Sequence, residues 1–590
     1  MSNVKTDDDL NPVESRVSRR AFVKAAGSGM LLTAAGAAVV AVNESTAFAQ
    51  RRWDHETDVV VVGSGAAAAA AALFAHAGGA HVLMIEKAAV AGGTSRKSGG
   101  GYWIPNNPLM RGRNVADPRE DCLRYMARTA YPTLYNPTQA HLGLPENEYG
   151  LLAAFYDNAA PILDALKTMG AIETHAPWLQ DDGELYPDYY AQLPENKAPH
   201  GRTLFAARPD GSAGNGAYMM ELLLGAIEKR RIPILLKHRA IRLVVNSKNE
   251  VVGLEALTND QTVTIRVHKG VIFGTGGFTS NPEMSLSFLR GPVFGGCTVP
   301  SGQGDFVHIG AAAGAKLANM ANAWWWPVLL EQALQFRSTP GGIAQAPGDS
   351  MVTVNRFGRR VVNEGIQYNE RNQAHFAWDP LTCSYPNLIL FVVYDQFTRE
   401  RFGQTSGLAV RPGIKAPYIL AGQTLEELAA AIDKRLAEIA GRTGNFRLDG
   451  TFAANLKETI VRFNQFAETG VDLDFHRGEA PIERALFGKR RSGNDKPNKM
   501  MYPIRATGPF YGVMTAGGTL DTKGGPKINN VAQVLNMRDE PIPGLYGAGN
   551  CIASPAGQAY WAGGGTLGPA LTFGALAGKH AAASVNKELA

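Results

Sequence analysis

A single phenol, Tyr560, stands three residues ahead of Gly563, Gly564 and Gly565 in the segment AYWAGGGTLGPALTFG. Three consecutive glycines mark backbone that must approach something closely or adopt positive φ. The apolar pattern that follows predicts a helix opening at about Gly568, whose first turn would aim unpaired N–H groups back at the loop. One hydroxyl and several bare amides therefore converge. That set suits gripping a carbonyl oxygen beside a flat cofactor and stabilising charge that develops on it.

Such a loop needs a scaffold, and the other end of the chain supplies one. Asp58-Val59-Val60-Val61-Val62 is an apolar β-branched run typical of a buried parallel strand, followed directly by Gly63-Ser64-Gly65-Ala66-Ala67-Ala68. An alanine-rich helix to about Ala77 and a second strand from His81 to Ile85, ending in Glu86, complete a dinucleotide-binding βαβ unit. Here Ala68 replaces the third glycine, and Glu86 is the acid expected to take ribose hydroxyls. A second glycine-rich stretch, Gly92-Gly93-Thr94-Ser95 and Ser98-Gly99-Gly100-Gly101, comes soon after that acid. Two further glycine turns follow strand-like residues, one in VIFGTGGF (Val271 to Phe278, with Gly276) and one at Gly547-Ala548-Gly549-Asn550. Three distant turns closing on one elongated ligand point to FAD rather than NAD.

Composition excludes several classes. The chain has 590 residues and a formal net charge of +5 without a long basic run, which argues against nucleic-acid binding. Four widely spaced cysteines with no CxxC or CxxCH give no support for metal, cluster or haem sites, so no metal is expected. Residues 1–49 read as a targeting segment: Arg19-Arg20 precede an apolar Ala/Gly-rich run from Ala25 to Val42 and an Ala47-Phe48-Ala49 cleavage pattern. This resembles a twin-arginine signal, and implies a periplasmic protein that leaves the cytoplasm folded and is not an integral membrane protein.

The words GGTSRKSGGGYWIPNN (Gly92 to Asn107), PDYYAQLPENKAPHGRTL (Pro187 to Leu204), VNEGIQY (Val362 to Tyr368) and AYWAGGGTLGPALTFG resemble the ketosteroid Δ1-dehydrogenase and cyclohexanone dehydrogenase branch of the fumarate reductase-like FAD flavoproteins. The resemblance implies an α/β fold: a discontinuous Rossmann-like FAD-binding domain over 54–328 and 505–590, with an inserted α+β catalytic domain over 329–504. It also implies cofactor contacts at Gly63, Gly65, Ala66, Ala67, Glu86, Lys87, Gly93, Thr94, Ser95, Ser98, Gly99, Gly100, Gly276, Gly549, Asn550, Thr566 and Leu567. Fumarate-reducing relatives carry an arginine where this chain has Tyr368, a histidine where it has Met514, and a second arginine near the C-terminus where Tyr560-Trp561 stands. All three differences remove charge, so a neutral cyclic ketone is expected as substrate, either a cyclohexanone or a 3-ketosteroid ring. A quinone or other external carrier is expected to accept the electrons. The alternative is an ene-reductase of the fumarate reductase type running in the opposite direction.

By the same resemblance Tyr560 and the Gly564 N–H would donate to the ketone oxygen, and Tyr368 would take the α-proton as a hydride leaves the β-carbon. A phenol of ordinary pKa costs roughly 4 kcal/mol to ionise at neutral pH, so Tyr368 needs a supporting donor. Tyr189 is placed in that role, with Tyr190 and Tyr186 as substitutes. Trp561, Trp103 and Trp324-Trp325-Trp326 are candidates to shorten the pocket toward a single ring. The segment from Tyr131 to Tyr149 is a candidate cap.

Overall fold

A computed structural model describes residues 52–180, 183–341, 348–403, 408–410, 412–485 and 493–589. The targeting segment, with Arg19 and Arg20, lies outside the described residues.

The βαβ unit forms as its pattern requires. Strand β1 (His55–Val62) pairs in parallel with β2 (Val82–Glu86), Val59 opposite Val82 and Val62 opposite Ile85. Helix α1 (Ala66–Ala77) connects them. Both strands lie inside an eight-stranded sheet whose main path runs Gln533–Leu535, Pro541–Gly547, Gln261–Phe273, β1, β2, Ile234–Leu236. The last helix, Leu567–Ala583, lies across α1, and the two backbones nearly touch. A Cβ at Gly574 would come within 2.3 Å of the Ala67 carbonyl oxygen, and one at Gly578 within 2.3 Å of that of Ala71. Only the glycine-on-alanine surface of these two helices permits this approach.

A second sheet is antiparallel and five-stranded, built from Val328–Leu329, Met351–Val354, Ile389–Asp395, Ile419–Gly422 and Phe510–Ala516. Helices Leu425–Glu438 and Phe452–Thr469 bury Leu428, Ile432, Leu456 and Phe463 against it. Thr424 caps the first, its hydroxyl accepting from the Glu427 N–H at 3.1 Å. This is the inserted α+β unit. Phe510–Ala516, which the expected bounds place in the second FAD-binding part, hydrogen-bonds to Val328–Leu329, Ile389–Asp395 and Ile419–Gly422. No described helix is long and apolar enough to cross a membrane, and no cluster of metal-ligating side chains occurs among the described residues.

Candidate active site

Three tyrosines from three distant segments meet at the junction of the two units. Tyr368 opens the helix Tyr368–Gln373, which is pinned from both sides: Asn369 Oδ1 accepts from the Trp325 N–H and Asn372 Oδ1 from the Gly518 N–H. Tyr189 enters because its backbone N–H donates to the Trp561 carbonyl at 2.8 Å, tying the PDYY segment to the glycine loop. Its hydroxyl donates to Tyr368 Oη at 2.9 Å. Tyr560 packs edge-on against both, with centroid separations of 5.3 Å to Tyr189 and 5.6 Å to Tyr368. Of the three tyrosines considered as partner to Tyr368, geometry selects Tyr189. Tyr190 donates to Glu370 at 2.6 Å, and Tyr186 stacks on Trp178 at 4.0 Å.

Gly564 sits at φ +89°, where a Cβ would lie 2.6 Å from Tyr102 Cα. Its carbonyl accepts from the N–H groups of Trp103 (3.0 Å) and Gly568 (2.9 Å), fixing the peptide. Tyr560, Gly563, Gly564, Tyr368 and Tyr189 line one cavity of about 410 Å³ with Trp178, Phe205, Trp326, Leu520 and Cys297.

Burial is the largest influence on all three phenols and raises each above its ordinary range. Tyr189 and Tyr368 are pushed up strongly. Tyr560 moves less, because the nearby hydroxyls of Thr566 and Tyr368 offset part of the burial. Tyr560 is therefore the least displaced of the three, which suits a hydrogen-bond donor to a developing oxyanion.

A second cavity adjoins the first and shares Thr94, Ser95, Asn550, Thr566 and Leu567 with it. It is lined by Gly63, Gly65, Ala66, Ala67, Glu86, Lys87, Gly93, Gly276 and Gly549, while Ser98, Gly99 and Gly100 line the first. Every residue expected to touch the cofactor thus borders one of the two. Gly63 is obligatory: at φ +103° a Cβ would meet the Gly274 carbonyl oxygen at 2.5 Å. Glu86 is held ready, one oxygen accepting from Ser64 Oγ–H at 2.6 Å and the other from the Ala88 N–H at 2.8 Å.

Residues 58–567 match the family model described as "FAD binding domain". The chain belongs to this FAD-binding family. Over 378 residues it is 31% identical to a 4-oxocyclohexanecarboxylate 2-dehydrogenase of Sinomonas cyclohexanicum, covering 62% of this chain and 61% of that protein. Over 387 residues it is 33% identical to a 3-oxosteroid 1-dehydrogenase of Mycolicibacterium smegmatis, covering 63% of each. The matched region spans about three fifths of these curated relatives. A 3-ketosteroid delta1-dehydrogenase structure from Sterolibacterium denitrificans superposes with a TM-score of 0.76 at 28% identity, covering 90% of this chain and 100% of that one. A flavocytochrome c3 fumarate reductase in its open conformation shares the fold, with a TM-score of 0.62 at 22% identity over 92% of this chain and 80% of that one.

The cavities fit FAD on their own chemistry. The first turn of α1 opens into the second cavity, so its positive end faces the place where a pyrophosphate would lie, the Ala66 N–H donating to Ser95 Oγ at 3.0 Å. The hydroxyls of Thr275 and Thr566 line the same cavity. The helix Leu567–Ala583 begins where the two cavities meet and would offer its amide end to the FAD ring system.

Sequence reading missed two features of the site. Lys87 is ion-paired to Asp305 at 2.7 Å, and Asp305 also holds Arg239 at 2.9 Å. The glycine turn ahead of an acid in Ser301-Gly302-Gln303-Gly304-Asp305 was the available signal. Lys97 lines the tyrosine cavity as its one charged side chain among the described residues.

The expected role of Trp561 is corrected. It is fully buried, stacks on Phe155 at 5.8 Å, donates its indole N–H to Thr129 Oγ1 at 3.1 Å, and does not border the cavity. Trp103 likewise packs inward, donating to Asp188 at 2.9 Å, and Trp324 and Trp325 are buried off the lining. Trp178 and Trp326 are the indoles that face the cavity. The segment from Tyr131 to Tyr149 does not cap it; Tyr131 lies against Gly557, and Asn147 donates to the Ile528 carbonyl.

Proposed function

We propose that the chain is an FAD-dependent dehydrogenase that introduces a carbon–carbon double bond beside the ketone of a ring. The observation that carries this is the meeting of Tyr368, Tyr189, Tyr560 and Gly564 on one cavity that adjoins the cofactor cleft. Bound FAD supplies the acceptor for the hydride lost from the β-carbon. Tyr560 O–H and the Gly564 N–H hold the ketone oxygen and stabilise enolate charge as the α-proton leaves. Tyr368 takes that proton, and the Tyr189 O–H directed at its oxygen supports the phenolate that must exist before the step. The three phenols are buried and the walls Trp178, Phe205 and Trp326 half-buried, which lowers the local dielectric and strengthens these contacts.

The names of the relatives, a cyclic keto acid dehydrogenase and a steroid dehydrogenase, support a ring ketone as substrate. The opposite assignment, an ene-reductase of the fumarate reductase type, is disfavoured because no arginine or histidine lines the tyrosine cavity among the described residues. A quinone or similar carrier is the proposed acceptor of the electrons. The twin-arginine pattern supports export of the folded, loaded protein to the periplasm.

Anaerobic mixing tests the proposal. A cyclic ketone should bleach the bound flavin, and fumarate should fail to reoxidise it. If no ketone bleaches the flavin and fumarate turns over with Tyr368→Phe as with the wild type, the proposal fails.

A further inference from the structure

We infer that Asp188, clamped by Arg202, is the positioning residue that keeps Tyr189 against Tyr368 and sets that pair in register with the ketone grip at Gly564. The inference rests on the proposed desaturation and adds to it a residue that borders neither cavity.

Asp117, Asp188 and Arg202 come from three separate segments and are all buried. The Arg202 guanidinium lies over the rings of Trp103 and Tyr125, 5.3 Å from each centre. Its Nε and Nη2 donate to the two Asp117 oxygens at 2.9 and 2.7 Å. Its Nη1 donates to Asp188 Oδ2 and, at 2.9 Å, to Asn196 Oδ1. The other Asp188 oxygen accepts from the Trp103 indole N–H at 2.9 Å. Each of these contacts leads into the site. Tyr189 follows Asp188 directly, its N–H on the Trp561 carbonyl at 2.8 Å and its hydroxyl on Tyr368 at 2.9 Å. The backbone N–H of Trp103 donates to the Gly564 carbonyl at 3.0 Å, and Thr203, next after Arg202, donates its hydroxyl to the Gly563 carbonyl at 2.7 Å. Both oxygens of one carboxylate therefore reach residues that carry the glycine loop, while its own backbone carries Tyr189.

Folding energy gives no reason for this cluster. Two carboxylates share one guanidinium, and Cys122, Tyr125 and Tyr156, packed round them, are kept neutral by burial. Burial pushes the Asp188 carboxyl up to about 6 even with Arg202 opposing it. Buried ion clusters of this kind are often no more stable than apolar packing of the same volume. What they supply is direction, since hydrogen bonds between charged groups fix angle and distance where apolar contacts slide. The Tyr189 O–H needs that, because a hydrogen bond weakens steeply as it is turned out of line.

The test is Asp188→Asn in the FAD-loaded protein, which keeps the size of the side chain and leaves Arg202 paired with Asp117. A crystal structure of the variant should show the Tyr189 and Tyr368 hydroxyls beyond hydrogen-bond distance. The kinetic probe is cyclohexanone or testosterone, whichever reduces the wild-type flavin faster. Its kcat at neutral pH should fall by roughly tenfold or more while KM changes little, and the alkaline rise of kcat/KM should move to higher pH. The direction discriminates, because loss of a nearby negative charge would by itself ease ionisation of Tyr368 and move the rise to lower pH. In a Tyr189→Phe background Asp188→Asn should add no further upward shift. Trp103→Phe, which removes the indole N–H and keeps a ring, should shift the profile the same way, and it carries the test if Asp188→Asn fails to take up FAD. A Tyr189 to Tyr368 hydrogen bond that survives in the variant's structure overturns the inference, as does a profile that stays in place or moves to lower pH. If neither ketone reduces the wild-type flavin, the proposed desaturation has failed, and the variant's structure alone then decides the role of Asp188.

Discussion

The ammonium of Lys523 lies 4.0 Å from the centre of the Trp324 ring and donates to the carbonyls of Gly557 and Ala559, the second of which immediately precedes Tyr560. Trp324 in turn packs edge-on against Tyr560, 4.9 Å between centroids. One buried amine therefore fixes the loop and the ring on either side of the carbonyl-gripping phenol.

Lys523→Met should consequently cost more in activity than in stability. Leaving two carbonyls without their donor is worth about 1–3 kcal/mol of folding. The freed loop should lower kcat by an order of magnitude or more, since a small displacement of a positioned donor is expensive. Thermal melts and single-turnover flavin reduction on the same preparation separate the two effects. A melting loss with unchanged kcat would show that Tyr560 holds its place without this support.

Removing the hydroxyls should discriminate the three phenols. Tyr368→Phe is expected to slow flavin reduction by roughly 10²–10⁴-fold with FAD still bound. Tyr560→Phe should lose about 10²–10³-fold, the usual effect of deleting one oxyanion donor. Stopped-flow absorbance at the flavin band gives both rates.

Tyr189→Phe should act mainly on the pH profile. Its O–H is directed at Tyr368, so its loss destabilises the phenolate and raises the Tyr368 pKa. The alkaline rise of kcat/KM should move to higher pH, with a rate close to wild type once Tyr368 ionises. A profile that drops uniformly without shifting would assign Tyr189 to packing alone.

Gly564→Ala combines a strained φ with a contact against the Tyr102 backbone. Such a residue costs about 1–3 kcal/mol where the surroundings hold the conformation. Because the same peptide carries the proposed oxyanion donor, a loss of kcat/KM of at least tenfold should accompany the lowered melting temperature.

Two histidines, His375 buried and His175 half-buried, should make the protein acid-sensitive. Burial lowers the pKa of His175 and of His375 to about 4 from an ordinary 6.5. Between those values the unfolded chain binds more protons, so stability rises with pH across the window and is lost as pH falls from 6.5 toward 4. Each group is worth at most about 3 kcal/mol there. Melting temperatures from pH 4 to 7 should show this slope, and His375→Gln should reduce it by about half.

Much of the cofactor half was legible because its signals are local. The valine run of β1, the glycines at 63 and 65 and the acid at 86 lie within one supersecondary unit, and periodicity alone orders them. Tyr368, Tyr189 and Tyr560 could be gathered only through the family words around them, since a phenol in isolation carries no mark of its neighbours. The indoles show why. Trp561 adjoins Tyr560 in sequence, yet its ring turns into the core against Phe155, while Trp178, far away in sequence, reaches the cavity wall. The pairing of Phe510–Ala516 with Ile389–Asp395 and Ile419–Gly422 was not legible, because register across such sequence distances leaves no local trace.

The seam between α1 and the helix Leu567–Ala583 also governs when the molecule can become functional. Helix α1 rests on the helix Leu567–Ala583, far downstream in the chain, through a glycine-on-alanine contact. A nascent chain holding β1, α1 and β2 therefore has a nucleotide fingerprint with one wall missing. Stable capture of the cofactor must wait for the helix Leu567–Ala583 to pack on α1. A chain cut before Leu567 would keep the fingerprint and lose that wall.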